Sequence, residues 1–218
     1  MRKLVFAVLA VLLFAPGFSA GFNGIEAGDN HIFLFGGKAF QGGQNSYKYD
    51  GGLELSYGWP DLTGGLQWLN YVNPYIGFGL EFAAVNYTDK KDFLGMVSPG
   101  VFAEMYSEGT RFNLMLLLKV NVNPRDRVRL YPVFGLGANY FHNKVSVVVT
   151  PPGSRERFTE TSITPAGYAG LGFEADITEI ITIGIEGRYN AYMIARKEGT
   201  NNSFVTEMSA VAKIGFRF

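Results

Sequence analysis

The last fifteen residues alternate with a period of two, and this pattern constrains the fold more than any other feature of the chain. Phe204, Met208, Ala210, Ala212, Ile214, Phe216 and Phe218 share one parity, and Glu207, Ser209, Lys213 and Arg217 share the other. Successive side chains of a strand point to opposite faces, so the segment reads as a strand with one apolar and one charged face. The same separation recurs in 181–193, where Ile181, Ile183, Ile185, Tyr189, Ala191 and Met193 oppose Thr182, Glu186, Arg188, Asn190 and Tyr192. In 111–122, Phe112, Leu114, Leu116, Leu118 and Val120 oppose Arg111, Asn113, Lys119 and Asn121, with Met115 and Leu117 on the charged side. In 73–87, Ile76, Phe78, Leu80, Phe82 and Ala84 oppose Gly77, Gly79, Glu81 and Ala83. Further strands are expected at 31–41, 51–59, 130–142 and 161–175, each near or above the length a tilted strand needs to cross a bilayer. The fold class is therefore all-β, with about eight antiparallel strands in up-and-down order.

Alternation alone does not say which face is inside, because a soluble sandwich or lipocalin-like barrel alternates too. The bulk of the apolar face, its aromatics near strand ends and the small or charged residues opposite favour an apolar exterior and a transmembrane barrel. The chain has 28 Gly, 19 Phe and 12 Tyr. Gly77, Gly79, Gly135, Gly137, Gly170, Gly172, Gly184 and Gly215 could not fill a dry core but fit a narrow interior crowded by long polar side chains. With Phe218 facing lipid, parity sends Lys38, Glu54, Glu81, Arg111, Lys119, Glu174, Glu186, Arg188, Glu207, Lys213 and Arg217 inward. An eight-stranded interior is just wide enough for side chains, so these charges are expected to pair in a largely plugged lumen, with a narrow water path as the alternative.

The remaining features fit export. Residues 1–20 have the layout of a secretory signal: Arg2 and Lys3, the apolar run Leu4 to Ala15, then a Pro-Gly break and small residues, with cleavage near Ser19 or Ala20. Residues 21–218 form the barrel domain. No later stretch approaches the ~18 apolar residues of a spanning helix. The chain has no Cys, which excludes disulfide staples, thiolate metal sites and thiol enzymes. Removing Arg2 and Lys3 from the 19 basic residues leaves 17 against 19 acidic ones, without a basic block that would hold nucleic acid.

Connections at 121–128 and 176–179 are short, whereas those at 41–50, 88–109, 144–160 and 195–203 are longer and polar, which is the outer-membrane pattern. Two segments stand apart. Pro60 to Asn73 is long for a turn, and Leu62, Leu66 and Leu69 behind Asp61 have helical spacing, so a small interfacial helix is expected there. Met96 to Tyr106 is expected as a hairpin extension outside the membrane. Tyr57, Trp59, Tyr87, Tyr140, Tyr189 and Phe218 are expected as interfacial girdles.

The stretches Leu130-Tyr131-Pro132-Val133-Phe134-Gly135-Leu136-Gly137-Ala138-Asn139-Tyr140 and Ala166-Gly167-Tyr168-Ala169-Gly170-Leu171-Gly172-Phe173-Glu174, with the ending Lys213-Ile214-Gly215-Phe216-Arg217-Phe218, resemble the small outer-membrane β-barrels of the OmpA-like, OmpX-like and OmpW-like group. The resemblance covers most of residues 21–218 and does not choose a subfamily. It implies that Phe216 and Phe218 form the signal read by the barrel-assembly machinery. It also implies a bacterial, Gram-negative-type outer-membrane location among lipids and lipopolysaccharide. No periplasmic peptidoglycan-binding domain is expected after Phe218.

Chemistry is sparsely signalled. Only His31 and His142 could serve as histidine bases, and they are expected at opposite ends of the barrel. Lipid A deacylases and palmitoyl transferases resemble this architecture and use a His with Ser or acidic partners, but His142-Asn143-Lys144 lacks the His-x-Ser-Asn pattern. Neither His has the spacing of a metal site, and the Gly-x-Gly pairs lie inside strands without a following helix, so no cofactor or metal is expected. Arg155, Glu156 and Arg157, and Arg196, Lys197 and Glu198, lie in outer loops where lipopolysaccharide phosphates or an extracellular partner could touch them. Three functions are ranked in order: a structural, envelope-integrity or adhesin-like barrel, a narrow channel for ions or small solutes, and a lipid A-modifying enzyme.

Overall fold

A computed structural model describes residues 24–41, 46–48, 54–56, 59–98, 100–150, 153–194 and 203–218. Its strands are β1 (Asn30–Gln41), β2 (Ser46–Lys48), β3 (Glu54–Ser56), β4 (Trp59–Asn73), β5 (Ile76–Ser98), β6 (Val101–Val120), β7 (Val128–Thr150), β8 (Ser154–Asp176), β9 (Ile181–Ile194) and β10 (Ser203–Arg217). Eight of them close into an antiparallel barrel in the order β1-β10-β9-β8-β7-β6-β5-β4, and β2 and β3 form a separate ladder. The seam joins the first and last strands: His31 faces Arg217 across β1 and β10, and Asn30 and Phe218 exchange backbone hydrogen bonds of 3.1 and 3.0 Å.

The expected strand count holds, but one strand lies elsewhere. Among the described residues of the segment expected at 51–59, Glu54–Ser56 form β3, in a ladder separate from the barrel, and Trp59 opens β4; Pro60 to Asn73 is neither turn nor helix but most of β4. Leu62, Leu66 and Leu69 suggest a helical stripe, yet Leu62, Leu66 and Trp68 point outward while Gln67, Leu69 and Tyr71 point inward. The sharp stop at Pro74 explains the outcome. Asn73 Oδ1 accepts the N–H groups of Tyr75 and Ile76, both at 2.9 Å, in an Asx turn that sends β5 back along β4.

The two ends of the barrel differ. One carries the short connections 74–75, 121–127 and 177–180 and is called the turn end below. At the other, β5–β6 and β7–β8 run on as long hairpins, so 96–98, 101–106 and much of the expected loop 144–160 are strand. The ladder between β8 and β9 begins only at Ala166, which leaves Ser154–Pro165 paired to β7 alone among the described residues.

The outer wall is apolar over a defined height. On β7, Leu130, Phe134, Leu136 and Tyr140 face outward and are exposed, Leu136 by 72%. Ten residues at ~3.3 Å, tilted by ~40°, rise about 25 Å, the height of an apolar membrane band. Directly above, Asn86, Thr110, His142 and Thr161 stand side by side across four strands as register partners, a polar row that ends the band. Below that row, the rings of Phe82, Phe112 and Tyr140 stack in series at 6.1 and 6.4 Å. Of the residues expected as girdles, Tyr140, Tyr189 and Phe218 are exposed on this wall, whereas Tyr87 is buried inside. Tyr87 continues the inward parity of Glu81, Ala83 and Val85, and β5 runs well past it, so it does not sit at a strand end. The side chains of Tyr57 and Trp59 lie outside the described residues.

The inward glycines make room for rings. Tyr131 faces Gly172, Tyr168 faces Gly135, Tyr71 faces Gly77 and Phe33 faces Gly215 as cross-strand partners. A Cβ at Gly172, Gly135 or Gly215 would run into the opposing ring, and one at Gly77 would stand 2.9 Å from Tyr71. Each aromatic ring lies over the bare backbone beside it, which lets four rings fit in an eight-stranded bore.

Candidate functional site

Charged side chains converge in the lumen. Among the described residues, five carboxylates (Glu81, Glu174, Asp176, Glu186, Glu207) and five cations (Arg111, Lys119, Arg129, Arg188, Lys213) are buried inside it. Glu174 takes Lys119 at 2.5 Å and Lys213 at 3.0 Å, with Arg129 at 3.9 Å. Lys213 continues to Glu186 at 2.9 Å, Glu186 to Arg188 at 2.6 Å, and Arg188 to Glu81 at 2.9 Å. This chain of pairs crosses the bore from β6 and β7 to β10, β9 and β5. Arg129 also forks onto Asp176, with Nη2 donating at 2.6 Å, and Thr182 donates to the same carboxylate at 2.7 Å. Nearer the hairpin end, Arg111 pairs with Glu207 and donates to Asn113 at 3.0 Å.

Neutral groups add further hydrogen bonds. Gln67 and Tyr168 donate to Glu81 at 2.6 and 3.1 Å, Tyr131 donates to Glu186 at 3.0 Å, and Tyr87 donates to Glu207 at 3.1 Å. The cations lie over ring faces as well: Lys119 is 3.9 Å from the Tyr131 centroid, Arg111 4.2 Å from Tyr192 and Arg188 4.5 Å from Phe35. Burying ten charges is costly unless each is paired and hydrogen-bonded, and the balanced signs and donor set meet that requirement. The same charges fix the register, since a one-residue slip would turn them toward lipid.

Eight of the eleven residues expected inside take part in this arrangement: Glu81, Arg111, Lys119, Glu174, Glu186, Arg188, Glu207 and Lys213. Three do not. Lys38 points outward with its side chain 60% exposed and pairs with Asp61 at 3.4 Å, because Phe33, Phe35 and Ala39 take the inward parity of β1. Its long stem lets the ammonium reach the edge of the apolar band. Glu54 belongs to β3, outside the closed wall, and its side chain lies outside the described residues. Arg217 keeps the inward parity but sits at the turn-end rim and pairs with Asp29 at 2.8 Å.

Sequence reasoning misses Arg129, Asp176 and Gln67. Arg129 shares parity with Tyr131 and Val133, so a β7 begun one residue earlier would include it. Asp176 falls in a segment that reads as a turn, and Gln67 in one that reads as helical. The two histidines are far apart on the barrel. His31 is buried in the bore beside Tyr71, and His142 stands half-exposed on the outer wall between Thr110 and Thr161.

Compared with known proteins, the chain matches no family model and no curated protein sequence. Solved structures do match. A major outer membrane protein of Thermus thermophilus superposes with a TM-score of 0.51 at 12% identity, covering 88% of this chain and 100% of that one. The fold is that of the small outer-membrane barrels. The N-terminal β-barrel domain of Pseudomonas aeruginosa OprF aligns over 89% of this chain and 100% of its own at 13% identity and a TM-score of 0.48. Pseudomonas aeruginosa OprG aligns over 90% and 99% at 14% identity and 0.44. The likeness lies in the architecture, while the contents of the bore are set by this chain's own residues.

Proposed function

We propose that this chain is an integral protein of the bacterial outer membrane whose barrel is closed to ions and whose long hairpins present an interaction surface to the outside. The observation that carries the reading is the bore itself, filled by a charge-balanced network of side chains that are almost wholly buried. An ion entering it would have to separate pairs at 2.5 to 3.0 Å whose members are almost wholly out of solvent. Short turns belong to the periplasmic side of such barrels and long hairpins to the outer side, which orients the molecule.

With transport set aside, the outward surface is left to act. Among the described residues Ser154–Pro165 is paired to β7 alone, with Arg155, Glu156 and Arg157 exposed along it, and an extended segment of a partner can add to such an edge. Those charges also guard the edge against indiscriminate pairing. Arg196, Lys197 and Glu198 lie outside the described residues. On the outer wall, the Lys38–Asp61 pair and the row through His142 stand at the depth of lipid and lipopolysaccharide headgroups. Phe216 and Phe218, both outward at the seam, serve in this reading as the signal for the assembly machinery.

The test is conductance of the refolded protein in planar lipid bilayers, after heat-dependent gel mobility has established that the barrel is closed. A silent bilayer is expected. Discrete, reproducible current steps from the closed barrel would replace this reading with that of a narrow channel.

A further inference from the structure

The turn end of the bore is covered by a strap of chain. Ile25 is buried against the cluster of Phe33, Leu69, Tyr71 and Tyr131, and its N–H donates to the Pro124 carbonyl at 3.1 Å. Gly24 lies so close to the 124–125 backbone that a Cβ there would stand 2.7 Å from the Arg125 Cα. The strap then clips onto β4, with Gly28 N–H donating to Tyr71 O at 2.7 Å and Tyr71 N–H to Asp29 O at 2.9 Å.

Behind the strap, five polar atoms on four side chains have no hydrogen-bond partner outside this group: both ring nitrogens of His31, the Tyr71 hydroxyl, Asn121 Oδ1 and Arg129 Nε. None of the four residues is more than 1% exposed. The surroundings cannot satisfy them. The His31 ring packs edge-on to Tyr71 at 5.1 Å and against Phe33 at 5.7 Å, and the Tyr71 hydroxyl and Asn121 Oδ1 have at most each other. The remaining guanidinium nitrogens of Arg129 are engaged with Asp176 and neighbouring groups. Leaving such groups unmet is costly, because each gives up the hydrogen bonds it makes to water in the unfolded chain.

What fits here must both donate and accept, since the set mixes an imidazole donor and acceptor, a hydroxyl, a carbonyl oxygen and a guanidinium N–H. It must also be uncharged, because Arg129 with Asp176 and Lys119 with Glu174 already balance. Deeper in the bore, Lys119 lies over Tyr131, Phe33 and Tyr71 and blocks the way, so entry is from the strap side. We propose that His31, Tyr71, Asn121 and Arg129 form a binding site for ordered water, admitted from the periplasmic side past the Ile25 strap. Water is small and neutral and makes two to four such bonds at once.

The experiment is deuteron relaxation dispersion of the refolded full chain in D2O, which counts long-lived internal waters, on the wild type, His31→Phe and, as a control on the outer wall, His142→Phe. The slow component should fall in His31→Phe and stay at the wild-type level in His142→Phe. Ile25→Gly should shorten the residence time without removing the site. An equal slow component in wild type and His31→Phe overturns the proposal. Should His31→Phe not form a heat-shifting barrel, cross-peaks between water and the His31 ring in the wild type decide: their presence supports the site and their absence overturns it.

Discussion

Lys213 is the hinge of the buried network, and its replacement by Met tests the account of the bore. The ammonium lies 3.0 Å from Glu174 and 2.9 Å from Glu186, with the rings of Phe33 and Tyr131 each 4.6 Å away. Met fills much of the same space, so the loss is chiefly electrostatic. Five buried carboxylates then face four cations, and breaking a buried pair from one side costs about 3 to 5 kcal/mol. The internal reference is Lys38→Met, which removes an exposed pair worth at most about 1 kcal/mol. With a urea slope of about 2 kcal/mol per M, unfolding from lipid vesicles followed by tryptophan fluorescence should show a midpoint lowered by about 1.5 to 2.5 M for Lys213→Met, and by about 0.5 M or less for Lys38→Met. Adding Glu186→Gln restores the charge balance, so the double variant should lose less than the two single losses together. Equal midpoints for Lys213→Met and Lys38→Met would refute the claim that the interior charges act as a coupled, desolvated set.

Other consequences follow from the wall and the ends. Gly172→Ala pushes a methyl into the Tyr131 ring and should cost about 1 to 3 kcal/mol by urea unfolding, while Gly187→Ala, whose Cβ meets nothing within 4 Å, should be near neutral. A ring that simply swings aside would show as equal stability of the two variants. Leu136→Arg sets a charge in the middle of the apolar band and should cost about 2 to 4 kcal/mol of folding free energy in bilayers, whereas Leu130→Arg at the band's edge should cost about 1 kcal/mol or less. A reversed order would move the membrane boundary from where the His142 row puts it. An epitope inserted at Gly153 should be labelled on intact cells, and one at Arg125 only after the outer membrane is opened; the opposite result would invert the orientation.

Much of the barrel can be read from the chain because alternation is a local property. Phe204 to Phe218 and Ile181 to Met193 separate greasy from charged residues without reference to any neighbour, and the inward members Glu186, Arg188, Glu207 and Lys213 are where parity sends them. The same reasoning fails wherever a position depends on a partner strand. β4 carries glycines and mixed parity, and it becomes a strand because β1 and β5 need it to close the wall and Asn73-Pro74 turns the chain at the right place. Lys38 has a charge but the wrong parity, Tyr87 a girdle residue's chemistry but an inward one. Pairing between Arg129 and Asp176, or between Tyr131 and Gly172, joins residues 41 to 47 positions apart in the chain. The sequence by itself determined that the chain forms amphipathic strands with a lipid-compatible face, since that follows from the period of a pleated backbone. Which charges meet, which rings cover which glycines and whether the bore is filled were decided only by closure, because only closure brings distant strands into one narrow interior where every side chain needs a partner.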